Sequence, residues 1–229
     1  MDLLQLREKG IFETLKAIKH YSFVVIGGYA VNAYALPRFS IDCDIVIDEY
    51  LQLTDIEKKL AELDYKKTKA MISTQFHGDF KRYEKAISSG INISIDVLYK
   101  QILDRQTNAK FDARWVFENS LLIPLKGKTI TESLKLRIIN LDALIVMKLI
   151  SCRGTDMRDV FMMAPKISNA TWIRQEISKK YNFEERFNKI KNHINSKDFR
   201  NNLQGVYGYI NEKTFEKHKD ALLRLPTSN

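Results

Sequence analysis

Three aspartates stand where strands could present them to a cation. Asp42 and Asp44 alternate with Ile41, Cys43 and Ile45, the period-two pattern of a half-buried β-strand. Successive strand side chains point to opposite faces, so the apolar set goes to the core and both carboxylates emerge on one side. Two such charges repel unless a cation lies between them, and hard divalent ions such as Mg²⁺ take oxygen ligands of this kind. A second alternating run puts Ile91, Ile93, Ile95, Val97 and Tyr99 on one face and Asn92, Ser94, Asp96 and Leu98 on the other. Asp96 is then a lone carboxylate on the polar side of a half-buried strand. Three aspartates on neighbouring strands can hold two metal ions about 3.5–4 Å apart, one carboxylate bridging. The plainer alternative makes Asp42 and Asp44 ordinary solvent-side residues.

Groups suited to phosphate precede the aspartate pair. An apolar strand, Phe23 to Ile26, runs into Gly27-Gly28, and a short helical stretch, Tyr29 to Leu36, is broken by Pro37. The glycines let the backbone approach a ligand closely just before a helix N-terminus, whose unpaired N–H groups favour phosphate. Arg38 lies four residues before Asp42. It can meet a phosphate bidentately or pair with an acidic neighbour at the surface. Ser40 can tie the turn to the backbone. A phosphate cradle followed by a metal-binding strand points to nucleotide chemistry.

Lys148 is the one cation of LDALIVMKLIS, a helix that Asn140 can cap and that is apolar nearly all round. An ammonium there must shed its water, which is costly without a compensating anion. It therefore contacts a triphosphate, or its stem snorkels to the surface. Asp159 follows eleven residues on, nearly on the same face if the helix continues; Asp156 falls roughly 80° away. Gly154 can end that helix, with Thr155 capping a new one. Asp159 either orients Lys148 in an active site or forms an internal ion pair with it. His77 has no ligand spacing and reads as a loop residue, and Cys152 has no catalytic partner nearby.

These groups need a mixed framework of strands and helices. Leu3, Leu6, Ile11, Leu15 and Ile18 make an apolar stripe, predicting a helix over the first twenty residues. Thr54 is the expected cap of a helix over 55–64. Phe80, Arg82 and Glu84 suggest a strand after a loop at His77-Gly78-Asp79, and short strands are expected at 120–125 and 128–131. Past residue 166 come amphipathic helices rich in Lys, Asn, Phe and Tyr, with Pro165 and Ser168-Asn169 as boundary signals. The division read from this is a core over 1–165 and a helical C-terminal region over 166–229.

The chain has 229 residues, 45% hydrophobic and 28% charged, the balance of a soluble globular protein. No apolar run is long enough for a bilayer, so a membrane is not an expected partner. The N-terminus is too charged for a signal peptide, and Cys43 and Cys152 cannot make a disulfide framework. A cytoplasmic location is expected. Net charge is +9, from 37 Lys and Arg against 28 Asp and Glu, which favours polyanionic partners.

Gly27-Gly28, then Arg38-x-Ser40-x-Asp42-x-Asp44, then Asp96 on a later strand, resembles the nucleotidyltransferase superfamily with the DNA polymerase β-like palm fold. LIVMKLISCRGTDMRDV resembles the lysine helix and charged run of its abortive-infection and type IV toxin–antitoxin branch. The resemblance covers scattered motifs over about residues 20 to 165. It implies an α+β fold, a mixed sheet in a palm-like core with flanking helices. It implies Asp42, Asp44 and Asp96 as ligands of Mg²⁺ or Mn²⁺, with Asp96 also able to act as base. Lys148 would hold the phosphates of an NTP, and Asp159 or Asp156 would take the acidic role beside it. The implied reaction moves NMP from NTP to an acceptor and releases pyrophosphate. Type IV toxin relatives suggest RNA, a tRNA 3′ end, as acceptor, and an antitoxin protein as a partner. A protein or small-molecule acceptor, or an idle fold used as an RNA-binding module, are the alternatives. The chain departs from the family in two respects: Gly28 and Tyr29 stand where many members carry a serine after the first glycine or a small polar residue just after the pair, and the lysine-containing motif is shorter than in the best-known toxins.

Overall fold

The computed structural model describes residues 2–68, 79–88 and 90–225. The chain divides into two compact units, one made of Met1–Ala33, Phe39–Leu103 and Phe111–Ile139, the other of Tyr34–Arg38, Asp104–Lys110 and Asn140–Asn229.

The first unit is built on a seven-stranded mixed sheet. Its elements run α1 (Leu3–Ile18), β1 (Val24–Ile26), α2 (Gly27–Val31), β2 (Asp42–Ile47), α3 (Tyr50–Glu62), β3 (Lys66–Lys67), β4 (Asp79–Ser88) and β5 (Ile91–Tyr99). Then follow β6 (Gln101–Leu103), β7 (Lys110–Asp112), α4 (Ala113–Glu118), β8 (Ser120–Leu125) and β9 (Leu134–Ile139). The strand order is β3-β4-β5-β2-β1-β9-β8, with β6 and β7 forming a separate ribbon. β2 pairs parallel with β5, and β1 parallel with β9. The remaining neighbours are antiparallel.

Alternation along the strands decides which face takes the helices. Ile93, Ile95 and Val97 of β5 are buried together with Ile11, Leu15 and Ile18 of α1 and Ile56 and Leu60 of α3. α1 lies so close to β5 that a Cβ on Gly10 would meet Ile93 Cδ1 at 2.8 Å. On the same side, Tyr83 and Lys81 of β4 both reach Glu57 of α3, at 2.6 and 2.5 Å. The opposite face carries the aspartates.

The second unit is helical: α5 (Leu141–Ser151), α6 (Gly154–Met163), α7 (Ala170–Ser178), α8 (Phe183–Ile194), α9 (Lys197–Tyr207) and α10 (Glu212–Leu223). Asparagine and serine start most of these helices. Asn140, Asn169, Asn182, Ser196 and Asn211 each accept a hydrogen bond from a backbone N–H of the first turn, satisfying donors the helix leaves orphaned. α5 is buried along nearly its whole length. Phe161 anchors the later helices, its ring 5.1 Å from Phe199 and 5.0 Å from Phe215.

Several expectations need correction. α3 begins at Tyr50 after Glu49, and Thr54 instead donates to the Tyr50 carbonyl within the helix. Residues 128–131 form no strand; the partner of β8 is β9, whose Leu134, Leu136 and Ile138 alternate with charged residues. α2 starts on Gly27 and ends at Val31. Ile41 precedes β2 and is 62% exposed, so the buried apolar set starts at Cys43. The loop expected at His77 and Gly78 lies outside the described residues.

Candidate active site

Register aligns the charged side chains in rows across the sheet. Asp44 of β2 pairs with Asp96 of β5, and Asp96 pairs in turn with Arg82 of β4. One step along, Asp42 pairs with Ser94, and Ser94 with Glu84. Directly paired residues share a face. The three expected aspartates thus stand on one face of two adjoining strands, with an arginine across from Asp96.

That arginine engages two of them. Arg82 Nε donates to Asp96 Oδ1 at 2.8 Å and Nη2 to Asp96 Oδ2 at 2.6 Å, while Nη2 also reaches Asp42 Oδ2 at 3.4 Å. Asp96 is therefore not a lone carboxylate but half of a bidentate pair, and it is only 4% exposed. Burial pushes its carboxyl above the usual range, and Arg82 offsets this only in part. The guanidinium itself is held more firmly charged, chiefly by its hydrogen bond to Asp96. From the sequence alone Arg82 is simply a strand residue. Its two-residue spacing from Glu84 is the signal that the two share a face; its partner is set by register between distant strands.

Asp44 packs against the first residue of α2. Gly27 has φ of +65°, and a Cβ on it would overlap the Asp44 carboxylate, 2.9 Å from Cγ. The first glycine of the pair is thus required by the aspartate packed against it as well as by its own backbone. Gly28 follows within α2, and Ser40 is part-exposed in the segment leading to β2.

The donors suit a hard divalent cation: carboxylate oxygens on adjoining strands, two of which already close on one positive group. Among the described residues no three His, Cys, Asp or Glu side chains are gathered as a ready-made cage. The charge between Asp96 and Asp42 is met by Arg82. A separate cavity of about 500 Å³ in this unit is bordered by Phe12, Lys16 and Ile130, and none of the three aspartates lines it.

In the second unit Lys148, Asp156, Asp159 and Arg38 form one cluster. Lys148 Nζ lies 3.0 Å from Asp156 Oδ1 and 2.8 Å from Asp159 Oδ2. Arg38 donates twice to Asp159, Nε to Oδ1 at 2.8 Å and Nη2 to Oδ2 at 2.7 Å, and the Tyr207 hydroxyl donates to Oδ1 at 2.8 Å. The helix carrying Lys148 does not continue to these acids. Cys152, at φ 49° and ψ 40°, ends α5, and α6 starts after Arg153. The second helix folds back and delivers both acids, so neither replaces the other.

Burial and pairing compete in this cluster, and pairing wins. Burial pulls the Lys148 ammonium down, but Asp159 and Asp156 outweigh it and hold it above its ordinary value. Burial pushes Asp159 up, yet Lys148 and Arg38 bring it down to about 2. Two cations against two anions leave the cluster formally neutral. Arg38 makes a largely buried fork, its side chain 14% exposed, rather than a surface salt bridge.

No protein-family model matches the chain, and no curated protein matches it. Among solved structures it is similar to a protein from H. pylori assigned as a nucleotidyltransferase, with 14% identity and a TM-score of 0.56, covering 99% of this chain and 96% of that one. JHP933 from Helicobacter pylori matches at 15% identity and a TM-score of 0.49, over 99% and 93%. The CdnE cyclic dinucleotide synthase of Elizabethkingia meningoseptica, with GTP and Apcpp, matches at 11% identity and a TM-score of 0.29, over 96% and 89%. No helix among the described residues is long and apolar enough to cross a membrane. The first of these likenesses establishes the architecture: a mixed sheet with flanking helices and a helical C-terminal part, the fold of that nucleotidyltransferase-assigned protein.

Proposed function

We propose that the protein is a metal-dependent nucleotidyltransferase that moves NMP from an NTP to an acceptor, RNA first, with a tRNA 3′ end as the leading target. The observation that carries this is the row of Asp44 beside Asp96, with Asp42 one step away, on the face opposite α1 and α3. Asp42, Asp44 and Asp96 would hold Mg²⁺ or Mn²⁺, which when bound neutralises charge on the phosphates and on the attacking and leaving oxygens. An acceptor hydroxyl oxygen bonds to the α-phosphorus, and the bond from that phosphorus to the oxygen bridging to the β-phosphate breaks. Pyrophosphate leaves with the electron pair, and the hydroxyl proton passes to an Asp96 oxygen. Gly27, Gly28, Arg38, Ser40 and Lys148 stay in this reading as phosphate-contacting groups, with Asp159 setting the position of Lys148 and Arg38. For Lys148 that role requires exchanging a carboxylate oxygen for a phosphate oxygen.

The net charge of +9 supports an RNA acceptor, since long-range attraction and counterion release both favour a polyanion. An antitoxin protein as partner belongs to the same proposal. The test is incubation with α-labelled NTP, Mg²⁺ and separate RNA, protein and metabolite pools. Label in RNA supports the leading reading, and label in protein or metabolite moves the acceptor. A second reading is favoured by Arg82, which already neutralises Asp96: an idle fold that binds RNA. It gains ground if melting temperature rises with RNA but not with NTP and Mg²⁺.

A further inference from the structure

Arg82 sits where positive charge is needed. Its Nε and Nη2 donate to the two oxygens of Asp96, and Nη2 also reaches Asp42. A fork of this geometry is among the stronger charge-assisted contacts, and Asp96 is nearly sealed from water. A divalent ion drawn to these carboxylates meets a site where one positive charge already sits against Asp96 and Asp42. Arginine stays protonated at any working pH, so the contact cannot be released by losing a proton. The side chain is 37% exposed, so the fork can swing away from the sheet on its own stem.

We infer that Arg82 is a resident counter-cation that a divalent ion must displace, so that metal enters effectively only together with an anionic triphosphate. This rests on the metal reading of Asp42, Asp44 and Asp96. Metal alone would leave a guanidinium and a divalent cation crowded around the same carboxylates, and like charges a few ångströms apart repel strongly in a partly buried place. A triphosphate adds the negative charge that accepts the displaced guanidinium. Metal and nucleotide affinities then become linked, each raising the other by the same factor. The arginine discourages metal without nucleotide and is a second cation for the phosphates once moved.

The test is Mn²⁺ binding followed by electron paramagnetic resonance, with and without a nonhydrolysable ATP analogue. The proteins are the wild type, Arg82→Gln, Arg82→Lys, Asp42→Asn and Arg82→Gln/Asp42→Asn. Wild type is expected to bind Mn²⁺ weakly alone and at least tenfold more tightly with the analogue. Arg82→Gln should bind Mn²⁺ alone at least fivefold more tightly than wild type, and the gain from the analogue should shrink. Arg82→Lys keeps the charge without the fork and should fall between; it carries the test if circular dichroism shows Arg82→Gln unfolded. Equal Mn²⁺ affinity in wild type and the Arg82 variants, with binding weakened by Asp42→Asn, overturns the displacement and leaves the metal site standing. Mn²⁺ binding indifferent to Asp42→Asn with or without Arg82 removes the metal reading, and the displacement with it.

Discussion

Gly27 lies against the carboxylate of Asp44, so closely that the glycine hydrogen occupies the only room there is. The turn that ends β1 and the strand that carries the acids are thereby fixed to one another. With φ at +65°, alanine at 27 adopts a backbone that costs an L-residue roughly 1–2 kcal/mol and also collides with Asp44. Gly27→Ala should lower the unfolding free energy measured in urea by at least that amount, and Mn²⁺ affinity should fall with it as Asp44 is pushed aside.

Asp42 is part-exposed and touches Arg82 only at 3.4 Å, so its charge matters more to a bound cation than to the fold. Asp42→Asn should reduce NMP transfer by the order of 100-fold or more, the scale of losing one preorganised electrostatic group. Its melting temperature should stay within a few degrees of wild type. Activity assays and thermal melts on the same preparation check both halves.

Asp159 joins Lys148, Arg38 and Tyr207 at 1% side-chain exposure. Asp159→Asn leaves two buried cations with too little negative charge, and breaking a buried pair from one side costs about 3–5 kcal/mol. Asp156→Asn should cost less, because Lys148 keeps Asp159. Urea unfolding of the two variants orders them.

The same cluster makes stability sensitive to acid. Asp159 titrates at about 2 in the folded chain against an ordinary 3.8, so the folded state resists its protonation. Its contribution is complete above pH 4 and is lost as pH falls through 2, amounting to about 2 kcal/mol. Unfolding free energy measured from pH 6 to 2.5 should fall more steeply in wild type than in Asp159→Asn.

Much of the site's framework could be read from spacing. Cys43 and Ile45 alternate with Asp42 and Asp44, and this sets the face of β2; the apolar run before Gly27 marks β1; Asn140 caps α5 through the Ala143 N–H at 2.9 Å. β9 carries an equally plain alternation in LKLRII, with Leu134 and Leu136 buried and Lys135 and Arg137 exposed. What spacing could not give was partnership between distant strands and helices. Arg82 meets Asp96 because β4 and β5 pair in one register, and a shift of one residue would send it to the other face. Lys148 meets Asp159 because α6 folds back after Cys152, not because one helix carries both.

The central claim is that the strand aspartates support transfer of NMP to an acceptor. Its most direct measurement is pyrophosphate release and label transfer from α-labelled NTP with Mg²⁺ and total RNA, comparing wild type with Asp44→Asn. Labelled RNA with matching pyrophosphate from wild type, both abolished in a folded Asp44→Asn, is the expected result. Turnover undiminished by Asp44→Asn, or no transfer by wild type to RNA, protein or metabolites, would contradict it.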